Sequence, residues 1–288
     1  MNKLKQSRTA SFITVFLIYV IATAVGCAVY IPLDLPWWLA LLIADAAATV
    51  ATFVFSLIFK NASVYDPYWS VQPPVILTAF VIGHSITALG VLLLIAVFFW
   101  GIRLTMNWAY TFKGLTHQDW RYTMLSEKTG KCYPVINFVG IHMVPTLVVY
   151  GCILPAVYAV IHGVEANIGS VIFICTSLLA ATVQGIADVQ MHRYRKCRTT
   201  PFIRIGLWKH SRHPNYLGEI TMWWGVALAV VCAEPSAWYL IAGAVANTAL
   251  FLAVSIPMAD GRQSRKAGFV EYKKDTRMLL PIKKLHSK

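Results

Sequence analysis

Apolar residues run through this chain in long blocks, and polar residues gather in the connections between them. Several blocks reach the roughly 20 residues that an α-helix needs to cross a bilayer. The pattern predicts an all-α, polytopic membrane helix bundle of about eight spans, near 10–31, 37–59, 73–84, 86–110, 135–160, 168–190, 214–232 and 236–257. The third is short, which fits a re-entrant segment or one covered by neighbouring helices. The first apolar run is too long for the core of a signal peptide and lacks a small-residue cleavage site, so it reads as a span.

Composition agrees: 58% of the 288 residues are hydrophobic and only 13% are charged. The formal net charge of +13 would suit a nucleic-acid partner, but its placement excludes that reading. Of 25 lysines and arginines, 24 lie before the first span, in the connections 60–72, 111–134 and 191–213, or after Met258; the other is Arg103, inside a span. The alternate connections, near 32–36, 83–86, 161–167 and 233–235, have none. This alternation places both termini in the cytosol and makes the lipid bilayer, including its anionic lipids, the partner of the basic charge. No obligate protein partner is evident. The six cysteines are scattered without a CxxC pair and read as small buried apolar residues. Asn61-Ala62-Ser63 matches a glycosylation sequon but falls on the cytosolic side, where it stays unmodified.

No internal repeat appears. Residues 1–59 read as N-terminal scaffold helices, and 60–288 as a membrane domain with extended cytosolic loops. Asp45 lies in mid-span and needs a partner, for which Arg103 is a candidate. Asp66-Pro67 and Pro73-Pro74 should stop a helix. The aromatic loop around them reads either as an interfacial belt or as a rigid rim on a ligand cavity. Asp119, Trp120, Arg121 and Tyr122 give the next cytosolic connection a weak binding-surface signature.

Two constellations carry more chemistry. Gln184, Asp188, His192 and Arg195, spaced by four, four and three, share one face of a helix leaving the membrane. Pro214 suits the first turn of the next helix, and Arg212, Asn215 and Glu219 follow the same spacing rule. A helix N-terminus beside Arg212 and Lys209 favours phosphate. Glu219 is costly inside an apolar segment and reads as a functional group. The tail adds Tyr272 and Arg277 before Leu279-Leu280-Pro281, on a segment that could equally lie on the membrane surface. There is no G-x-G-x-x-G, Walker or zinc-spaced motif, so no metal site is expected.

YDPYWS (65–70), DWRY (119–122), Ala187-Asp188, GLWKHSRHPNYLGE (206–219), WWG (223–225) and the tail's Glu271-Tyr272 with Leu-Leu-Pro together resemble the bacterial-type branch of the steroid 5-alpha-reductase C-terminal-domain family. The resemblance runs from about residue 60 to the end. It implies a helix bundle closed by cytosolic loops around NADPH, reducing a carbon–carbon double bond conjugated to a carbonyl in a small lipidic substrate. By motif, Asn215 and Glu219 match the family's Asn-Tyr-x-x-Glu element, Asp188 the acidic residue before the basic loop, and Tyr272 and Arg277 the terminal clamping segment. Arg195, His213, Arg212 and Tyr216 complete the candidate cofactor set; Arg212 and His213 have no counterpart in the steroid enzymes. The Glu and Tyr that hold the steroid carbonyl match no position here.

Such a reaction develops charge on the carbonyl oxygen, which a tyrosine or protonated acid must hold. Tyr65, Asp66 and Tyr68 are the catalytic candidates. The alternative is an S-adenosylmethionine-dependent methyltransferase of the isoprenylcysteine or phospholipid type, since those enzymes share RHPxYxG. They usually carry a Glu-Glu pair before the final Tyr segment. Here that stretch offers only Asp260 and Glu271, which favours the reductase.

Overall fold

The computed structural model describes residue 5 and residues 7–281; Lys3, Lys283, Lys284 and Lys288, all counted above, lie outside them. The regular structure of the described residues is helical, with one isolated β-bridge. Seven stretches are long and apolar enough to cross a membrane: 8–30, 37–58, 88–111, 120–161, 168–196, 214–233 and 235–263. The chain is thus an integral, multi-pass, all-α membrane protein. The short third span of the sequence reading is a sixteen-residue helix, Tyr68–Gly83.

The helices are α1 Arg8–Tyr30, α2 Trp37–Ile58, α3 Tyr68–Gly83, α4 Ala88–Thr111, α5 Trp120–Thr129 and α6 Val144–Ile161. They continue as α7 Ile168–Lys196, α8 Pro214–Ala233, α9 Ala242–Leu250, α10 Ile256–Gln263 and α11 Phe269–Asp275. Two compact units divide them: residues 1–76 with 104–154, and 77–103 with 155–288.

Several local expectations change. Pro73 and Pro74 sit inside α3 rather than before it. Pro67 marks the break instead, and its carbonyl accepts from Val71 N at 3.1 Å to open the helix. The expected loop 111–134 contains α5, because Asp119 caps it by accepting from Arg121 N at 2.8 Å. A 3₁₀ turn, a short helical turn and a π-helical stretch, Asn137–Met143, then lead into α6. Cys152 is buried as expected, but the other five cysteines are exposed and all six are free. Those such as Cys27 and Cys175 stand on outward helix faces, where a thiol is apolar enough to meet lipid. Asn61 is buried and donates to Leu115 O at 2.7 Å and His117 O at 3.0 Å, so the sequon is closed by packing.

In the second unit α7 and α8 touch backbone to backbone. A Cβ on Gly225 would fall 2.1 Å from Ser177 Oγ and 2.8 Å from Phe173 O, and one on Gly218 2.7 Å from Ala180 O. Ser177 Oγ donates to Met222 O across the seam at 3.0 Å. Small residues at such a seam let membrane helices approach closely. Asn167 and Ser170 start α7 with a reciprocal capping box.

Candidate functional site

The second unit gathers the motifs of the basic loop and tail. Glu219, one turn and a residue into α8, is 1% exposed. Its Oε2 accepts from Trp100 Nε1 at 2.8 Å and Gln184 Nε2 at 2.7 Å, and its Oε1 from Trp223 Nε1 at 3.0 Å. Three neutral donors thus hold a carboxyl that lipid alone would reject. One turn nearer the helix start, Asn215 Nδ2 donates to Asp188 Oδ1 at 3.3 Å, and Arg103 Nη1 reaches Asp188 Oδ2 at 2.9 Å. The shared face of Gln184 and Asp188 therefore meets Glu219 and Asn215, as their spacing predicts. Arg103 partners Asp188, not Asp45, and its buried Nε and Nη2 have no hydrogen-bond partner among the described residues.

Pro214 is the first residue of α8, as expected. Arg212 turns away from Asn215 and Glu219. Its Nη2 lies 3.1 Å from Asp260 Oδ2 and its Nη1 donates to Thr276 O at 2.6 Å. His213 Nε2 sits 2.9 Å from Asp260 Oδ1, and its ring stacks on Tyr216 with centroids 5.1 Å apart. The tail lies along this segment: Arg212 N donates to Arg277 O at 3.0 Å and His213 N to Met278 O at 3.2 Å. Tyr272 is buried, and its hydroxyl donates to Trp208 O. Burial pushes that phenol up to about 12, so it remains a donor at neutral pH. The described part of the tail thus packs on protein, with Phe269 and Tyr272 against Phe202.

Arg195 is exposed at the end of α7. It belongs to a cationic cluster that the sequence reading did not assemble. The Lys266 amine is held below its ordinary range by burial first, then by the charges of Arg198, Arg262 and Arg195. These residues come from two chain segments more than sixty positions apart, so no local spacing could join them.

The first unit gathers the other motifs. Tyr122 Oη donates to Asp66 Oδ1 at 2.6 Å, and Asp119 N donates to Ser63 Oγ at 2.9 Å, joining DWRY to YDPYWS. Burial pushes the Asp66 carboxyl up to about 6. Tyr65 and Tyr68 are buried in the core and not on a surface belt. Tyr65 Oη lies 2.7 Å from Thr146 Oγ1, itself 3.0 Å from Thr49 Oγ1, and burial holds the Tyr65 phenol above its ordinary range. Asp45 accepts from Tyr68 Oη at 3.3 Å and Gln72 Nε2 at 2.5 Å, which supplies the partner that a mid-span aspartate requires. His142, fully buried in the π-helical turn, rests against Tyr65 at 4.6 Å. Its Nδ1 faces Asn137 O at 3.0 Å; a carbonyl only accepts, so Nδ1 carries a proton.

A family described as "Protein of unknown function (DUF1295)" matches residues 52–276, which include the motifs above except Arg277 and Leu279-Leu280-Pro281 of the tail. The chain belongs to the DUF1295 family. An uncharacterized protein of Schizosaccharomyces pombe, C594.04c, is 26% identical over 193 residues, which is 57% of this chain and 56% of that protein. The chain therefore spans little more than half the length of that relative. No solved structure matches.

Proposed function

We propose that this DUF1295 protein is an NADPH-dependent reductase of a conjugated carbon–carbon double bond in a lipidic substrate. The observation that carries the reading is the Arg103–Asp188–Asn215 cluster, joined at 2.9 and 3.3 Å, with Asp188 acting on Arg195 and Arg195 in turn on Lys266 together with Arg198 and Arg262. Like charges crowded together are relieved by an anion. NADPH presents a pyrophosphate and a further phosphate, whereas S-adenosylmethionine presents no phosphate and carries a cationic sulfur. The donor set therefore fits the reductase cofactor better than the methyl donor. Arg103, with its buried Nε and Nη2 nitrogens to spare, adds capacity for a polar ligand in the same unit.

NADPH, when bound, supplies the hydride. The chain's own residues bind and orient. Arg195, Arg198 and Lys266 hold phosphate. Asp188 and Asn215, fixed by Arg103, offer a carboxylate and an amide to ribose or nicotinamide groups. Asp260 fastens Arg212, His213 and the tail, so that Tyr272 and Arg277 keep their places. The Tyr65 and Tyr68 hydroxyls are held inside the first unit by Thr146 and Asp45 and take no part in this reading.

The test is turnover. Full-length protein in lipid nanodiscs is given NADPH with a sterol enone or a long-chain enoyl ester. Loss of nicotinamide absorbance that requires both protein and lipid acceptor supports the reading. Methyl transfer from S-adenosylmethionine to a lipid or prenylated thiol, without NADPH consumption, overturns it.

A further inference from the structure

A groove of about 410 Å³ lies within the first unit. One wall is a stripe of α1 from Phe12 to Thr23, and the others come from Val71 and Val75 of α3 and Trp108 of α4. The α1 stripe rises by roughly 16 Å at the helical repeat, so the groove is long for its volume. Two of its polar side chains are engaged: Tyr19 Oη donates to Val64 O at 2.7 Å, and Thr105 Oγ1 pairs with Ser70 Oγ at 2.8 Å; Thr23 and Trp108 stand among apolar side chains. What it offers an occupant is hydrocarbon. Phe16 and Val20, on the α1 stripe, are 66% and 49% exposed on a helix of membrane-spanning length.

One end carries charge. Arg8 opens α1, and its guanidinium carbon stands 5.5 Å from the centre of the Phe12 ring. Arg8 Nη2 donates to Ala109 O at 2.9 Å, which holds the side chain across the end of α4. An apolar slot that ends at a fixed cation matches a lipid whose chain enters the slot and whose headgroup is negative. A zwitterionic headgroup would bring its own cation toward Arg8.

We propose that this groove seats one acyl chain of an anionic membrane phospholipid, with Arg8 on its headgroup. This site does not depend on the enzymatic reading above.

The experiment uses full-length protein, delipidated in detergent and offered equal phosphatidylglycerol and phosphatidylcholine, with retained lipid read by native mass spectrometry. Wild type should retain phosphatidylglycerol with at least about fivefold preference, the value of one near-surface arginine. Arg8→Gln should keep lipid but lose the preference. Val71→Trp, which fills the groove, should lose retention. Val75→Trp, at a half-exposed position, decides if Val71→Trp fails to fold, and Val50→Trp on an exposed face of α2 outside the groove should behave as wild type. Equal retention of the two lipids by wild type, or wild-type retention by Val75→Trp, overturns the proposal.

Discussion

Arg212 donates to Asp260 across 48 residues, Nη2 to Oδ2 at 3.1 Å, with both side chains almost wholly buried. The same carboxylate receives His213 Nε2 at 2.9 Å and lies 3.4 Å from Lys273 Nζ. This acid therefore ties the loop before α8 to α10 and the tail. Removing one member of a buried pair leaves the other charge without compensation, at about 3–5 kcal/mol. Asp260→Asn is expected to lower thermal stability by that order. It should also speed hydrogen exchange at the Arg212 and His213 amides, which bond to the tail. Unchanged exchange would show that the tail is held independently of Asp260.

Glu219 leads to a second expectation. In Glu219→Gln an NH₂ group replaces one acceptor, so a donor faces the indole N–H of Trp100 or Trp223 or the Gln184 amide. One unsatisfied buried donor costs about 1–3 kcal/mol. Glu219→Leu orphans all three donors and should cost more. Both variants should lose stabilisation by NADPH. A variant that melts early yet still shifts with NADPH as wild type would confine Glu219 to a structural role.

The seam between α7 and α8 is a test of packing alone. Gly225→Ala places a methyl against Ser177 Oγ and the Phe173 backbone, and only the hydroxyl can rotate aside. Overpacking of this kind costs about 1–3 kcal/mol. Gly261→Ala, where an added Cβ meets nothing within 4 Å, is the control and should melt as wild type.

Asp66 lies outside the membrane-spanning segments and carries a pH signature. Its folded pKa of about 6 stands above the ordinary 3.8, because burial disfavours the charged form. The contribution is fully present below about pH 3.8 and is lost as pH rises through about 6. Relative to Asp66→Asn, wild type should therefore lose up to about 3 kcal/mol of stability between pH 4 and 7. Parallel pH profiles of melting for the two proteins would contradict the assignment.

Much of the fold was legible because hydropathy reports burial in lipid directly. Helix faces were legible where both partners follow helical spacing, as with Gln184 and Asp188 against Glu219 and Asn215. Pro73 and Pro74 misled, because a proline pair reads as a break although the structure carries the helix through it. Asp45 was recognised as needing a partner, but Tyr68 and Gln72 could not be told from Arg103 by sequence, since each is polar and only packing selects among them. The tail's bonds to Arg212 and His213, and the cluster of Arg195, Arg198, Arg262 and Lys266, join residues far apart in the chain. Periodicity is silent about such pairings.

The central claim is that the cationic cluster of the second unit receives a phosphorylated nucleotide. The most direct measurement is the melting temperature of the full-length protein in detergent, titrated with NADPH or with S-adenosylmethionine. Wild type should be stabilised by NADPH and not by S-adenosylmethionine, and Arg195→Gln/Arg198→Gln should lose that stabilisation while keeping its unliganded melting temperature. Stabilisation by S-adenosylmethionine alone, or by NADPH to the same extent in the double variant, would contradict the account.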